Sequence, residues 1–183
     1  MGLKNTADRY GSVPIWMHWL MALLLIGVYV AINLHDAAPK GSAFRAEMKL
    51  WHFMLGLSVL ALVIARVVVR VSSGTAPKIT PPIPAWQHVM AKLMHLALYL
   101  FMLGMPILGW LAVSAKGSPI TFYGFQLPLL IGPDKALYDY LKEIHGLIGT
   151  AGYYLIGLHA AAALIHHYFI KDNTLGRMLP ARR

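Results

Sequence analysis

Apolar residues are concentrated in four long blocks, and polar segments separate them. The blocks cover about residues 15–34, 50–69, 88–113 and 145–170. A helix needs roughly 20 largely apolar residues to cross about 30 Å of hydrocarbon, and each block reaches that length. The pattern therefore predicts an all-α integral membrane protein, in which four helices form one transmembrane bundle over residues 1–183.

The segments between the blocks are expected to lie outside the membrane. Residues 72–84 carry four prolines and predict a stiff extended connector. Residues 35–49 and the longer segment 114–142 are expected to be loops at the opposite end. The first block resembles a signal peptide, because Lys4 and Arg9 precede it. It is longer than an ordinary signal core of about 7–15 residues and contains His18, so we interpret it as a retained helix.

Composition supports a membrane protein over a soluble one. Hydrophobic residues make up 58% of the 183 residues and charged residues only 13%. Soluble domains carry about 25% charged residues. The absence of cysteine excludes disulfides, thiolate zinc sites, iron–sulfur ligation and covalent haem attachment through cysteines.

The net charge of +9 is distributed unequally between the two ends of the predicted bundle. With four spans, both termini and the connector 72–84 share one end. That end has ten basic residues against Asp8 and Asp172, whereas the other end has six against five acidic residues. The positive-inside rule then places both termini in the cytoplasm. Nucleic acid is not expected as a partner, because the bundle leaves almost no extramembrane surface. The ten basic residues are Lys4, Arg9, Arg66, Arg70, Lys78, Lys92, Lys171, Arg177, Arg182 and Arg183.

Histidine is the residue type that points to chemistry. The chain has nine histidines, and ionisable groups within membrane spans are costly and usually functional. His35 lies in a loop, and His88 and His167 lie at or near span ends, where an interfacial role is expected. Six histidines remain as candidates: His18, His52, His95, His145, His159 and His166.

Depth in the bundle pairs four of these histidines. His145 and His159 are 14 residues apart on the fourth helix, which is about 21 Å of rise and about 40° from exact alignment. His18 begins the first helix at the depth of His159, and His52 begins the second at the depth of His145. Facing imidazoles at two depths are what two bis-histidine b-type haems require.

Two further features agree with haem binding. A small residue follows each of the four histidines after one turn: Ala22, Gly56, Gly149 and Ala163. A porphyrin lying along a helix needs such space, although small residues are common in membrane helices. Arg66 and Arg70 lie on one helix face and are candidates to neutralise haem propionates. The alternatives are histidines that hydrogen-bond between helices, and arginines that only flank a span.

At this point the chain resembles the bacterial cytochrome b-561 family of small four-helix di-haem proteins. The resemblance covers nearly the whole chain, and the residues that carry it are 15–19 (IWMHW), 51–56 (WHFMLG), 66–70 (RVVVR), 95–99 (HLALY), 156–169 (IGLHAAAALIHHYF) and 171–175 (KDNTL). The family's haem ligands fall on His18, His52, His145 and His159.

The resemblance implies electron transfer in the bacterial inner membrane, from the outer face to the quinone pool. For similar family members it implies oxidation of superoxide to oxygen with ubiquinone as acceptor. Superoxide is an anion, so basic residues at the outer face would steer it towards the outer haem. The candidates are Arg45, Lys49 and Lys116, and their alternative role is that of solvated loop charges.

Quinone reduction also needs a protonatable group beside the inner haem. His166 lies seven residues beyond His159 on nearly the same face, and His95 lies at comparable depth on the third helix. Both are candidate quinone ligands, both have a structural alternative, and His95 could replace His18 as a haem ligand.

Two other functions use the same histidines. One is a haem b subunit that exchanges electrons with a partner enzyme such as a hydrogenase, which would need a large docking surface or an extra helix. The other is a haem-free proton or metal transporter, which would lack a Soret band. A purely structural membrane protein explains none of the histidine placement.

Overall fold

Four long helices follow one another in the computed structural model, which describes residues 5–7 and 9–180. Each is long and apolar enough to cross a membrane, which confirms the all-α membrane bundle. Lys4, Asp8, Arg182 and Arg183 of the charge comparison lie outside the described residues. The helices are α1 (Ser12–Ala37), α2 (Ala43–Ser72), α3 (Ala85–Ala115) and α4 (Lys135–Ile165). We call the end of the bundle at which α1 begins and α4 ends the terminal end, and the opposite end the hairpin end.

At the hairpin end, α2 and α4 begin earlier than the apolar blocks predict. Asp134 caps α4 by accepting the Leu137 N–H at 3.0 Å. The first turns of α4 then carry a Lys135–Asp139 ion pair at 2.6 Å. Ser42 caps α2 in the same way, so the segment between α1 and α2 shrinks from the expected 35–49 to residues 38–42. Hydropathy missed these turns because charged helical turns in water carry no hydrophobic signal.

The long segment between α3 and α4 contains a small antiparallel hairpin, which is the only departure from the all-helical prediction within the described residues. Strands Ile120–Phe122 (β1) and Phe125–Leu127 (β2) pair across a Tyr123–Gly124 turn. Both turn residues have positive φ, 45° and 89°, as a two-residue hairpin turn of type I′ requires. Tyr123 reaches α2, where its hydroxyl lies 3.4 Å from that of Ser58.

The apolar core lies among the first three helices. Its buried members are Met21 of α1, Val59 and Val63 of α2, and Leu98 and Met102 of α3. The fourth helix contributes a single buried residue, Gly152. The fully buried apolar residues thus belong to α1, α2 and α3, and α4 adds the partly buried Leu155 and Ile156, which pack against this core.

At the terminal end, the connector 72–84 and the C-terminal tail are joined by hydrogen bonds. The connector is non-helical, as its prolines predict. Asn173 donates its backbone N–H to the Thr80 carbonyl at 3.0 Å, and its side chain accepts the Thr80 N–H at 2.9 Å. Arg177 donates to the Pro77 carbonyl at 2.6 Å. Asn173 and Arg177 are thereby fixed against the connector, although they are 90 or more residues away from it in sequence.

Candidate functional site

Two histidines of α4 each face a histidine of another helix. The ring centroids of His18 and His159 are 6.2 Å apart at the terminal end. Those of His52 and His145 are 6.1 Å apart at the hairpin end. The structure thus brings together the pairs that depth alone had selected, because the rise of a straight helix fixes depth before any tertiary contact is known.

These distances fit a metal ion held between two imidazoles. With metal–nitrogen bonds of about 2 Å, two imidazoles on opposite sides of one ion have ring centroids about 6 Å apart. Both observed separations match that value. At the hairpin end, the second ring nitrogen of His52 also has a partner, since Nδ1 lies 3.2 Å from the Val28 carbonyl. A hydrogen bond from Nδ1 leaves Nε2 as the free ligand atom.

A third histidine lies beside the terminal-end pair. The centroids of His95 and His159 are 5.6 Å apart, close to the separation of His159 and His18. Geometry therefore keeps two roles open for His95, as neighbour of a ligand pair or as the partner of His159.

Glycines set how closely the helices approach around these pairs. A Cβ at Gly109 would lie 3.1 Å from His145 Cε1, so the ring of His145 occupies the space beside this glycine of α3. Gly152, seven residues from both His145 and His159, has no room for a Cβ, because the Tyr29 hydroxyl and the Phe101 ring fill that space. Close helix contact thus occurs midway between the two pairs.

Three arginines converge on the terminal-end histidines. Arg66 donates to the Met17 carbonyl at 3.4 Å and lies near enough to His18, His95 and His159 for its charge to act on all three. Arg70 stands over the Tyr99 ring, 5.8 Å from its centroid.

The third arginine, Arg177, comes from the C-terminal tail. Its charge also acts on His95. Its buried Nε has no hydrogen-bond partner among the described residues. A buried guanidinium N–H without a partner fits an anionic oxygen, as a haem propionate would supply.

His166 pairs with a buried carboxylate. Its Nδ1 lies 2.5 Å from Asp172 Oδ2, and the Asp172 side chain has no exposed surface. Burial by itself would raise the pKa of Asp172, but hydrogen bonds from His166 and Thr174 outweigh it and hold the pKa below its ordinary value.

The basic residues at the hairpin end divide into two groups. Arg45 donates to the carbonyls of His35, Asp36 and Ala38 at 2.7–3.3 Å, so its guanidinium closes the end of α1. Lys49 lies over the Phe53 ring, 5.6 Å from its centroid. Lys116, Lys142 and Arg45 are near enough to act on the charge of Lys49. The result is a cluster of positive charge at the end of the bundle where His52 and His145 meet.

A match to a known protein family covers nearly the whole chain. Residues 9–181 match the family described as prokaryotic cytochrome b561. The chain belongs to this family. It is therefore related to bacterial membrane proteins that carry haem b and transfer electrons.

Curated relatives cover almost the whole chain. Cytochrome b561 homolog 1 of Escherichia coli is 37% identical over 176 residues, which are 96% of this chain and 99% of the relative. A protein named probable superoxide oxidase CybB, of Yersinia pestis, is 35% identical over 96% of this chain and 98% of its own length. Cytochrome b562 of Cereibacter sphaeroides is 29% identical over 94% and 96%.

Sequence reasoning missed three residues of the site. From the sequence, Asp172 and Arg177 stood out only as charges near one end of the bundle and as part of the tail, and Lys142 was one of the six basic residues of the other end. Their positions depend on how a non-helical tail folds back and on where α4 begins, which hydropathy does not show. For Asp172 the available signal was the tail sequence 171–175, which the family resemblance already included.

Proposed function

We propose that this protein is a di-haem b membrane cytochrome that carries electrons from superoxide at one membrane face to ubiquinone near the other. The observation that carries the proposal is the pair of imidazole separations, 6.2 and 6.1 Å, at two depths about 21 Å apart. Haem b, when bound, supplies a reversible one-electron iron couple at each depth.

Four histidines are proposed as the haem ligands: His18 with His159, and His52 with His145. Arg66, Arg70 and Arg177 are proposed to receive the propionates of the haem at the terminal end, because guanidinium groups bind carboxylates through two parallel hydrogen bonds. The terminal end is proposed to face the cytoplasm of a bacterial inner membrane, since basic residues outnumber acidic ones there.

The hairpin end is proposed as the entrance for superoxide. Lys49, Lys116 and Lys142 form a positive cluster beside the His52–His145 pair, and such a cluster attracts a small anion and raises its rate of arrival. Arg45 adds charge to this field while its donors remain bound to the end of α1. The relative named probable superoxide oxidase supports this choice of donor.

The terminal end is proposed as the quinone site. His166 offers a protonatable nitrogen there, and His95 lies against His159 on α3. An open apolar groove of about 320 Å³ lies along α1 at the same end, and its apolar lining suits an isoprenoid chain. Trp19 in that groove donates to the Met178 carbonyl at 2.9 Å. This bond links the groove to the C-terminal tail, whose Asp172 contacts His166. The groove is lined by Trp16, Met17, Trp19, Leu20 and Leu23.

Optical spectra of the purified protein and its histidine variants test the ligand assignment. We expect a b-type spectrum with two haems per chain, loss of one haem in His145→Ala, and loss of the other in His159→Ala. His88→Ala replaces an exposed histidine at a helix end and should keep both. His18→Ala compared with His95→Ala decides which of the two pairs with His159. A wild-type protein without a Soret band contradicts the proposal and favours the haem-free transporter.

Rapid mixing tests the donor and acceptor. After rapid mixing with superoxide, the haems of the isolated protein should become reduced, and added ubiquinone should reoxidise them. A protein reduced only by a partner enzyme, and not by superoxide, would instead be an electron-transfer subunit of the hydrogenase-cytochrome kind.

A further inference from the structure

A π-helical turn at the end of α4 brings Asp172 under His166. The turn covers His166–Ile170, and Lys171 then adopts the left-handed conformation with φ 60°. The Asp172 N–H returns to the His166 carbonyl at 3.2 Å. Single π turns and left-handed non-glycine residues are uncommon, and both concentrate at functional sites. Here their effect is that residue 172 meets the side chain of residue 166 rather than continuing along the helix axis.

Both oxygens of the Asp172 carboxylate are engaged. Oδ2 lies 2.5 Å from Nδ1 of His166, and Oδ1 accepts the Thr174 N–H at 2.8 Å. The carboxylate is fully covered, whereas 18% of the His166 side chain remains accessible. In this pair, therefore, only the imidazole is accessible from outside the protein.

The segment that carries Asp172 is fixed from below. Asn173, the next residue, exchanges two hydrogen bonds with Thr80, and its side-chain amide donates to the Lys78 carbonyl at 3.2 Å. These contacts tie the aspartate to the proline-rich connector. The backbone at residue 172 cannot move away from His166 without breaking them.

We infer that Asp172 is a positioning residue that holds His166 as the Nδ1–H tautomer and presents Nε2 to the quinone. The inference rests on the proposed quinone site. A neutral imidazole that donates Nδ1–H to a carboxylate has its lone pair on Nε2, and the same carboxylate stabilises the imidazolium once Nε2 is protonated.

The proton balance is simple for this arrangement. The Nε2–H bond breaks and an O–H bond forms on a quinone carbonyl oxygen that is receiving electrons. The imidazole becomes neutral and keeps its Nδ1–H on Asp172. A proton from water at the terminal end then restores the imidazolium. The two electrons are those that the proposed function takes from two superoxide anions, one from each. With the second electron, the other carbonyl oxygen accepts a proton from water at the terminal end, which completes the quinol.

The test combines nitrogen NMR with quinone kinetics in the haem-loaded protein. With ¹⁵N-labelled histidine, and with His166→Gln used for assignment, we expect neutral His166 to carry its proton on Nδ1 in the wild type. In Asp172→Asn that preference should be lost. The rate of reduction of a short-chain ubiquinone at saturation should then fall about 10- to 100-fold, which is less than the roughly 10²- to 10⁴-fold contributed by a general acid itself, because Asp172 only positions the acid. The half-saturating quinone concentration, haem content and reduction by superoxide should be nearly unchanged.

Asp139→Asn is the matched control, because Asp139 is an exposed aspartate at the hairpin end whose partner is Lys135. A wild-type His166 protonated on Nε2 would overturn the inference even if Asp172→Asn failed to fold. So would an Asp172→Asn protein that is only less stable and has normal kinetics. If His166→Gln itself leaves quinone reduction unchanged, the proposed quinone site fails, while the tautomer measurement still decides whether Asp172 orients His166.

Discussion

Replacing Gly152 with alanine perturbs the contact between α4 and α1 midway between the two histidine pairs. The added Cβ would overlap the Tyr29 hydroxyl and the edge of the Phe101 ring. Tyr29 donates to the Gly149 carbonyl at 2.7 Å, one turn away on the same helix. The methyl group must therefore displace Tyr29, push α4 outward, or both.

The magnitude follows from three opposing effects. Overpacking of a filled interior costs about 1–3 kcal/mol. Loss of the Tyr29–Gly149 hydrogen bond adds about 0.5–1.5 kcal/mol. Alanine favours the helix over glycine by about 1 kcal/mol, which offsets part of the cost. We expect Gly152→Ala to lower the free energy of unfolding by about 0.5–3.5 kcal/mol, which is the sum of these terms.

The measurement is unfolding of the haem-loaded protein in detergent, followed by Soret absorption and circular dichroism. Gly157→Ala is the control on the same helix, because a Cβ at Gly157 has no neighbour within 4 Å. That variant should be as stable as the wild type or more stable by up to about 1 kcal/mol. Equal stability of Gly152→Ala and Gly157→Ala would refute the claim that Gly152 is the close contact between α4 and its neighbours.

Three further predictions address the site. Gly109→Ala should weaken haem retention at the hairpin end about tenfold and leave the other haem in place, because its Cβ would press on the His145 ring at 3.1 Å; haem titration with optical spectra measures this. Asp172 has a lowered pKa in the folded protein, so its contribution to stability is complete above the ordinary pKa of 3.8 and is lost as the pH falls through the lower folded value; unfolding curves across acid pH should show a steeper loss in the wild type than in Asp172→Asn. Replacing Lys116 and Lys142 together with glutamine should slow reduction by superoxide and weaken its dependence on ionic strength, as stopped-flow rates at several salt concentrations would show.

Each of these predictions has a control at an open position. A Cβ at Gly104, also on α3, meets nothing within 4 Å, so Gly104→Ala should keep both haems. Asp139→Asn should leave the loss of stability at acid pH unchanged if Asp172 causes that loss. Lys40→Gln removes an exposed charge at the same end, and a salt dependence altered equally by Lys40→Gln would show that the Lys116–Lys142 position has no special importance.

The sequence by itself determined the four helices and the depths of the histidines. Apolar blocks of sufficient length have few alternatives to membrane helices, and a fixed rise of about 1.5 Å per residue converts sequence position into depth. For that reason His18 could be matched with His159, and His52 with His145, before any contact was known. The family resemblance rested on the same residues.

Only the tertiary structure decided which side chains meet at equal depth and what lies at the helix ends. It placed His95 beside His159, and it put the guanidinium of Arg45 on the carbonyls at the end of α1. It also folded the tail back, so that Asp172 reached His166 and Arg177 reached the terminal-end site. Helix rotation and the path of a non-helical tail depend on contacts between distant segments, and no local pattern of apolar and polar residues records those contacts.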